Sequence, residues 1–153
     1  MTEKDTSDAM VDEALGEHRE CMQVVSEVED CLERHLDRGG QWVDEVLAVL
    51  PRLAASLREH FEAEQEGALF RKVPLTHPQY ADRLQRLEAE HDQILKRIDK
   101  VIGKAEGVDR EKMYEVRELN AQVQMVVATI RRHEAEETEI LMGAHWEEIG
   151  TGD

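Results

Sequence analysis

An all-α fold, arranged as an up-down-up-down antiparallel four-helix bundle, is predicted by three features of the chain. Apolar residues recur at three- and four-residue steps in four separate segments. Aromatics make up only 4% of the 153 residues, with three prolines and nine glycines, too few for a strand-rich fold. The connections between the segments are short, which makes antiparallel neighbours the simplest arrangement. With 41% hydrophobic residues, the chain is expected to form one domain over 1–153 with a real core.

The first helix is expected over about 7–38. It follows Ser7 as N-cap and carries Val11, Leu15, Met22, Val25, Val28, Leu32 and Leu36 before Gly39-Gly40 ends it. The second, over 41–71, carries Val46, Leu50, Leu53, Leu57, Phe61, Ala68 and Leu69, with a kink or a broken first section expected at Pro51. The run KVPLTHP interrupts the pattern. The third, over 77–104, is capped by Thr76, carries Tyr80, Leu84, Leu87, Ile94, Leu95, Ile98 and Val101, and is closed by Gly103 to Gly107. The fourth, over 109–143, has Asp109 as N-cap and carries Met113, Val116, Leu119, Val123, Val126, Ile130, Ile140 and Leu141. Only the first few residues and the Gly-Thr-Gly-Asp end read as disordered.

Thirty-five acidic residues against nineteen basic ones give a formal charge of −16. Such a chain is repelled by nucleic acid and by an anionic membrane surface, so neither is expected as a partner. No stretch approaches the apolar length of a membrane span. MTEKDTSDAM has no basic region followed by an apolar run, so no secretory signal is expected. Cys21 and Cys31 lie on one helix about 15 Å apart by helical rise, too far to bridge. Reduced thiols and the cytoplasm are the expected setting.

One histidine interrupts each apolar face: His18, His60, His91 and His133. The second and fourth helices add Glu64 and Glu137, one turn along the same face. An offset of 73 positions carries His18 to His91, His60 to His133 and Glu64 to Glu137. Flanking positions follow it: Glu17 to Glu90, Met22 to Leu95, Leu53 to Val126, Leu57 to Ile130. This reads as a duplicated helical hairpin about a pseudo-twofold axis. His18 and His60 are equidistant from the Gly39-Gly40 turn and so sit level. His91 and His133 centre on Lys112, past the expected turn. Either the third helix runs on through Gly103 or the fourth overhangs it.

Four imidazoles and two carboxylates converging inside a bundle are costly alone. A buried, unpaired carboxylate costs on the order of several kcal/mol or gives up its charge, and an imidazole needs partners for both nitrogens. Two cations satisfy both demands. Structural zinc prefers four tetrahedral ligands, often thiolates, and calcium and magnesium prefer oxygen-only shells. Mixed imidazole and carboxylate with two bridging acids suits a pair of iron ions, with manganese the nearest competitor.

The motifs His60-Phe-Glu-Ala-Glu64 and His133-Glu-Ala-Glu-Glu137, with Glu17-His18 and Glu90-His91 upstream, closely resemble the hemerythrin-like family, the HHE cation-binding domain, over roughly residues 7–143. The resemblance implies two iron ions with a bridging oxo or hydroxo group. In it His18 and His60 hold one iron, His91 and His133 hold the other, and Glu64 and Glu137 bridge. Oxygen-carrying hemerythrins have a further histidine four residues after the one on the third helix. This chain has Leu95 there, and Met22 at the repeat-related position, as in the family's iron-repair and regulatory branches. Each iron then has five donors and a sixth position that is open or filled by a ligand not identified from the sequence.

The function expected is a non-haem di-iron protein that binds or reacts with O2, peroxide or NO as sensor, scavenger or carrier. Its alternatives are an iron donor or reservoir for iron-sulfur repair and a metal-free acidic bundle acting through protein contacts. Turnover is left open, with no catalytic residue assigned, and the oligomeric state is not read from the sequence. Of the remaining side chains, Glu62, Glu66, Glu134, Glu136 and Glu139 read as a solvated acidic face, although a register shift of one turn would exchange one for Glu64 or Glu137. His35 reads as a surface residue near a turn, His77 as a solvated loop residue, and His145 is given no role. Cys21 reads as a small buried thiol, and Trp42 and Trp146 as packing at the bundle ends.

Overall fold

Apolar stripes at helical spacing bury themselves only against other stripes, and the molecule is built from four long helices that do so. A computed structural model describes the backbone of residues 3–34 and 40–150, with side chains described except at 3–15, 17, 34 and 148–150. The long helices are α1 (Glu3–Arg34), α2 (Gly40–Glu66), α5 (Ala81–Gly107) and α6 (Met113–Gly150). Two single-turn helices, α3 (Ala68–Arg71) and α4 (Val73–Thr76), and a 3₁₀ turn (Pro78–Tyr80) link α2 to α5. No strand occurs among the described residues. The long helices contact one another in a closed ring, α1 to α2, α2 to α5, α5 to α6 and α6 to α1.

The main core runs through this ring and includes Val25, Val28, Trp42, Leu50, Leu53, Leu57, Ile98, Val123 and Ile130. Trp42 packs as expected, fully buried, with its indole N–H donating to the Cys31 carbonyl at 3.2 Å. Trp146 does not: it is 63% exposed on the outer face of α6. A smaller core, Leu69, Val73, Leu84, Leu87, Ile140 and Ala144, pins α3 and α4 against α5 and α6. Exposed ion pairs join ring neighbours, Arg58 with Asp99 and Arg131 with Glu29.

Several expected boundaries move. α1 begins at Glu3 rather than after Ser7, since neither proline nor glycine occurs before Gly16 to stop it. The expected continuation to residue 38, with His35, Leu36 and Gly39, lies outside the described residues. Pro51 does not break α2. It is exposed, so the carbonyl of Leu47 that loses its amide partner lies where water can satisfy it.

Thr76 ends α4 instead of capping α5, and its hydroxyl donates to the Lys72 carbonyl at 3.2 Å. The intervening Pro78 supports a 3₁₀ turn that delays α5 to Ala81. α5 runs through Gly103 to Gly107, the first of the two alternatives left open by the depth of His91 and His133. Asp109 organises the next turn rather than capping α6. Its carboxylate accepts from the Glu111 amide at 3.0 Å, and its own amide donates to Glu115 at 3.1 Å.

The last helix also runs past its expected end at Gly143. A Cβ there would lie 2.6 Å from the Tyr80 hydroxyl. The glycine is a close approach that lets Tyr80 pack onto α6, and the helix continues to Gly150.

Candidate metal centre

The ring of helices aims one histidine from each long helix toward a common buried volume. α1 brings His18, α2 brings His60 with Glu64, α5 brings His91, and α6 brings His133 with Glu137. The two His-x-x-x-Glu pairs lie one turn apart on their helices, which stacks donor on donor. His60 Nε2 is 2.6 Å from Glu64 Oε1, and His133 Nε2 is 2.6 Å from Glu137 Oε1. Across helices, His91 Nε2 lies 3.1 Å from Glu137 Oε1 and 3.3 Å from Glu64 Oε2. Glu64, His91, His133 and Glu137 each offer an atom within 4.8 Å of the others.

His18 and His60 meet a different partner. Glu134, expected on a solvated acidic face, is only 1% exposed. It lies 2.9 Å from His18 Nδ1 and 3.1 Å from His60 Nε2. His18, His60 and Glu134 form a second donor group within the same 4.8 Å limit. His60, Glu64, Glu134 and Glu137 form a third, which joins the other two. The structure therefore gathers all six sequence-predicted residues and adds a seventh.

Two signals in the sequence point to Glu134. It lies four residues after Ile130 and seven after Val127, both buried, and so continues the inward face. Its mate at the 73-residue offset is Phe61, which is itself buried. The other four glutamates are on the outer surface as expected: Glu62, Glu66 and Glu139 are exposed, and half-buried Glu136 pairs with Arg83 at 3.2 Å.

The outer nitrogens of two histidines are braced. Glu90 accepts from His133 Nδ1 at 2.7 Å, and the Gln65 amide lies 3.4 Å from His91 Nδ1. A proton held on Nδ1 leaves the Nε2 lone pair of His133 directed inward, as a metal ligand requires. Phe61 stacks on His91 at 4.0 Å and 7°, and Phe70 of α3 meets the same ring edge-on at 5.3 Å.

Electrostatics make the cluster an unstable set of neighbours. Burial pushes the Glu64 carboxyl up, but the imidazoles of His60 and His91 beside it outweigh that and hold it well below the usual range. The same balance, with His18 and His60 as donors, lowers Glu134. Glu137 goes the other way: burial, reinforced by Glu64 and Glu134, pushes it far up. Burial lowers His60, yet Glu134 and Glu64 together raise it to about 10. Without a cation, one buried acid must keep its proton beside two that are charged.

Orphaned atoms complete the test of fit. Glu64 Oε2, Glu137 Oε2 and His133 Nε2 are buried with no partner in hydrogen-bond geometry. Four imidazoles and three carboxylates suit a pair of borderline-to-hard cations. Cys21 is no competitor, because burial and then the charges of Glu134 and Glu64 push its thiol up to about 12 against a hydrogen bond from Ser56. His77 lies apart from the cluster. It is buried rather than solvated, with Nδ1 2.9 Å from the Thr76 hydroxyl. His145, against Trp146 at 6.2 Å, belongs to none of the three donor groups. Met22 and Leu95, at the repeat-related positions without a donor, are half-buried against the main core.

No curated protein and no solved structure matches the chain. A model of the hemerythrin HHE cation-binding domain matches residues 9–144. That span includes every histidine and carboxylate gathered at the buried cluster, and the chain belongs to this family of cation-binding domains.

Proposed function

We propose that the cluster holds two iron ions with a bridging oxo or hydroxo group, and that the protein binds or reacts with O2, peroxide or NO as a sensor, scavenger or carrier. One observation carries the reading: two separate donor groups, His18-His60-Glu134 and Glu64-His91-His133-Glu137, are joined by a third that draws two residues from each. A single cation would leave the donors of one group unused, whereas a bridged pair would use all seven. Iron supplies redox capacity and coordination of a small ligand. The chain supplies the rest. Glu64 and Glu137, which belong to two of the three groups, would be shared between the ions, Glu90 and Gln65 set the ring orientations, and Phe61 with Phe70 keeps water from the His91 side. Leu95 and Met22 present no imidazole or carboxylate, while Glu134 would add a carboxylate beside His18 and His60.

The reading includes an antiparallel up-down-up-down order for the helix ring, a single domain, and a cytoplasmic setting. It is supported by the closed ring of neighbours and the short connection from α5 to α6. Among the described residues no helix is long and apolar enough to cross a membrane. The test is elemental analysis and optical spectroscopy of protein purified without added metal. About two irons per chain and near-ultraviolet charge-transfer bands that move on adding azide or NO are expected. Iron-free protein that cannot be loaded with ferrous iron overturns the reading. Bands indifferent to azide and NO overturn its small-ligand half.

A further inference from the structure

We infer that the two cation positions are kinetically unequal: the one at His18, His60 and Glu134 exchanges with solvent, past His18, while the one at Glu64, His91, His133 and Glu137 is retained. This rests on the two-cation reading above. His18 is the outlier in exposure, with a quarter of its side chain open to solvent, whereas Glu64 is 12% exposed and the other five donors 4% or less. A shallow surface groove along α1, lined by Met22, Ser26 and Asp30, begins at the His18 ring.

Bracing differs in the same sense. Releasing a cation from the retained position means breaking the Glu90–His133 hydrogen bond or lifting His91 from its stack on Phe61. At the exchanging position, rotation of the one half-buried ring removes a donor and opens a path to solvent. Among the described residues, the hydrogen bond to His18 is the one between Nδ1 and Glu134, a group the departing cation itself would use. The repeat explains the difference. His18 and His91 are mates, but α3, in the connection between α2 and α5, lays Phe70 against His91. Among the described residues no corresponding segment covers His18.

Ferrous iron loaded anaerobically and then captured by excess ferrozine tests this in a stopped-flow instrument. The unmutated protein should release its iron in two phases of equal amplitude, separated by about tenfold or more in rate. His18→Asn should lose the fast phase and bind one iron, with the slow phase unchanged. Glu90→Gln should bind two irons and speed the slow phase by about tenfold, leaving the fast one alone. Two irons leaving in a single phase overturn the inference. So does a His18→Asn protein that loses the slow phase, or a Glu90→Gln protein altered only in the fast one. An unmutated protein that cannot hold two irons overturns the two-cation reading, and this inference with it.

Discussion

A carboxylate's neighbours, rather than its composition, decide whether it is a ligand or a solvated charge, and Glu134 shows how small the sequence difference is. It sits in the run His-Glu-Ala-Glu-Glu-Thr-Glu, where Glu136 and Glu139 lie on the outer side and Glu134 and Glu137 face inward. A step of one residue turns a helix by about 100°. From His133 that step carries Glu134 round toward α1 and α2, where His18 and His60 are waiting. Removing it should therefore weaken the proposed cation position at His18 and His60. Glu134→Ala is expected to bring metal content from about two toward one per chain, whereas Glu136→Gln should leave it unchanged; equal losses would show that Glu134 acts only as bulk negative charge. Cys21 offers a check on the local field. With its thiol pushed up to about 12 from an ordinary 9.0, its thiolate fraction at pH 8 is lower by roughly a thousandfold. Alkylation of Cys21 by iodoacetamide, followed by peptide mass mapping, should be slow in the folded protein and rapid in urea; rapid labelling of the folded state would mean that the thiol is neither buried nor beside two carboxylates.

At the scale of elements, the histidines were legible because each replaces an apolar residue in an unbroken helical stripe, and because the 73-residue repeat pairs them. The seventh donor was hidden by the acids around it. The ends of the helices were less legible because caps and stops are decided by contacts outside the local window. Thr76 reads as a cap until Pro78 makes a 3₁₀ turn of the residues beyond it, and Asp109 reads as a cap until Glu115 reaches back to its amide. Gly103 reads as a stop, yet a glycine inside a helix costs only about 1 kcal/mol, which the packing of α5 outweighs. Gly143, inside α6, is the surface on which the Tyr80 ring rests while its hydroxyl donates to Glu147 at 3.1 Å. Gly143→Ala should push that ring away and lower stability by about 1–3 kcal/mol, as overpacking does. Denaturant melts and Tyr80 fluorescence would record it. An unchanged midpoint would show that Tyr80 moves aside without cost, and that α3 and α4 are held by Leu69 and Val73 alone.

For the molecule as a whole, the buried cluster links stability to both metal and pH, and the sign of each link follows from the charges. In the metal-free protein Glu64 and Glu134 have lowered pKa values, so the stability they contribute is present above about 4.5, the usual value, and is lost as pH falls. His60, raised to about 10 from 6.5, contributes fully below 6.5, and that contribution is lost as pH rises through 10. Glu137, also raised, contributes below 4.5 and progressively less above it, because keeping its proton at higher pH has a growing cost. The acid limb therefore belongs to Glu64 and Glu134, and the alkaline decline to His60 and Glu137 together. Cations act on that alkaline limb. A bound pair would take the place of the proton on Glu137 and of one on His60, so loading should release protons and grow more favourable with pH. Stabilisation by a ligand held at a hundred times its dissociation constant is about 2.7 kcal/mol. The gap in melting temperature between loaded and chelator-treated protein should consequently widen from pH 6 to pH 9. Calorimetric loading in buffers of differing ionisation enthalpy should report net proton release at pH 7. A gap that does not widen with pH would mean that the metal-free cluster is already deprotonated at neutral pH. The three buried carboxylates would then tolerate one another without a shared proton, and the electrostatic reason for a cation pair would be gone.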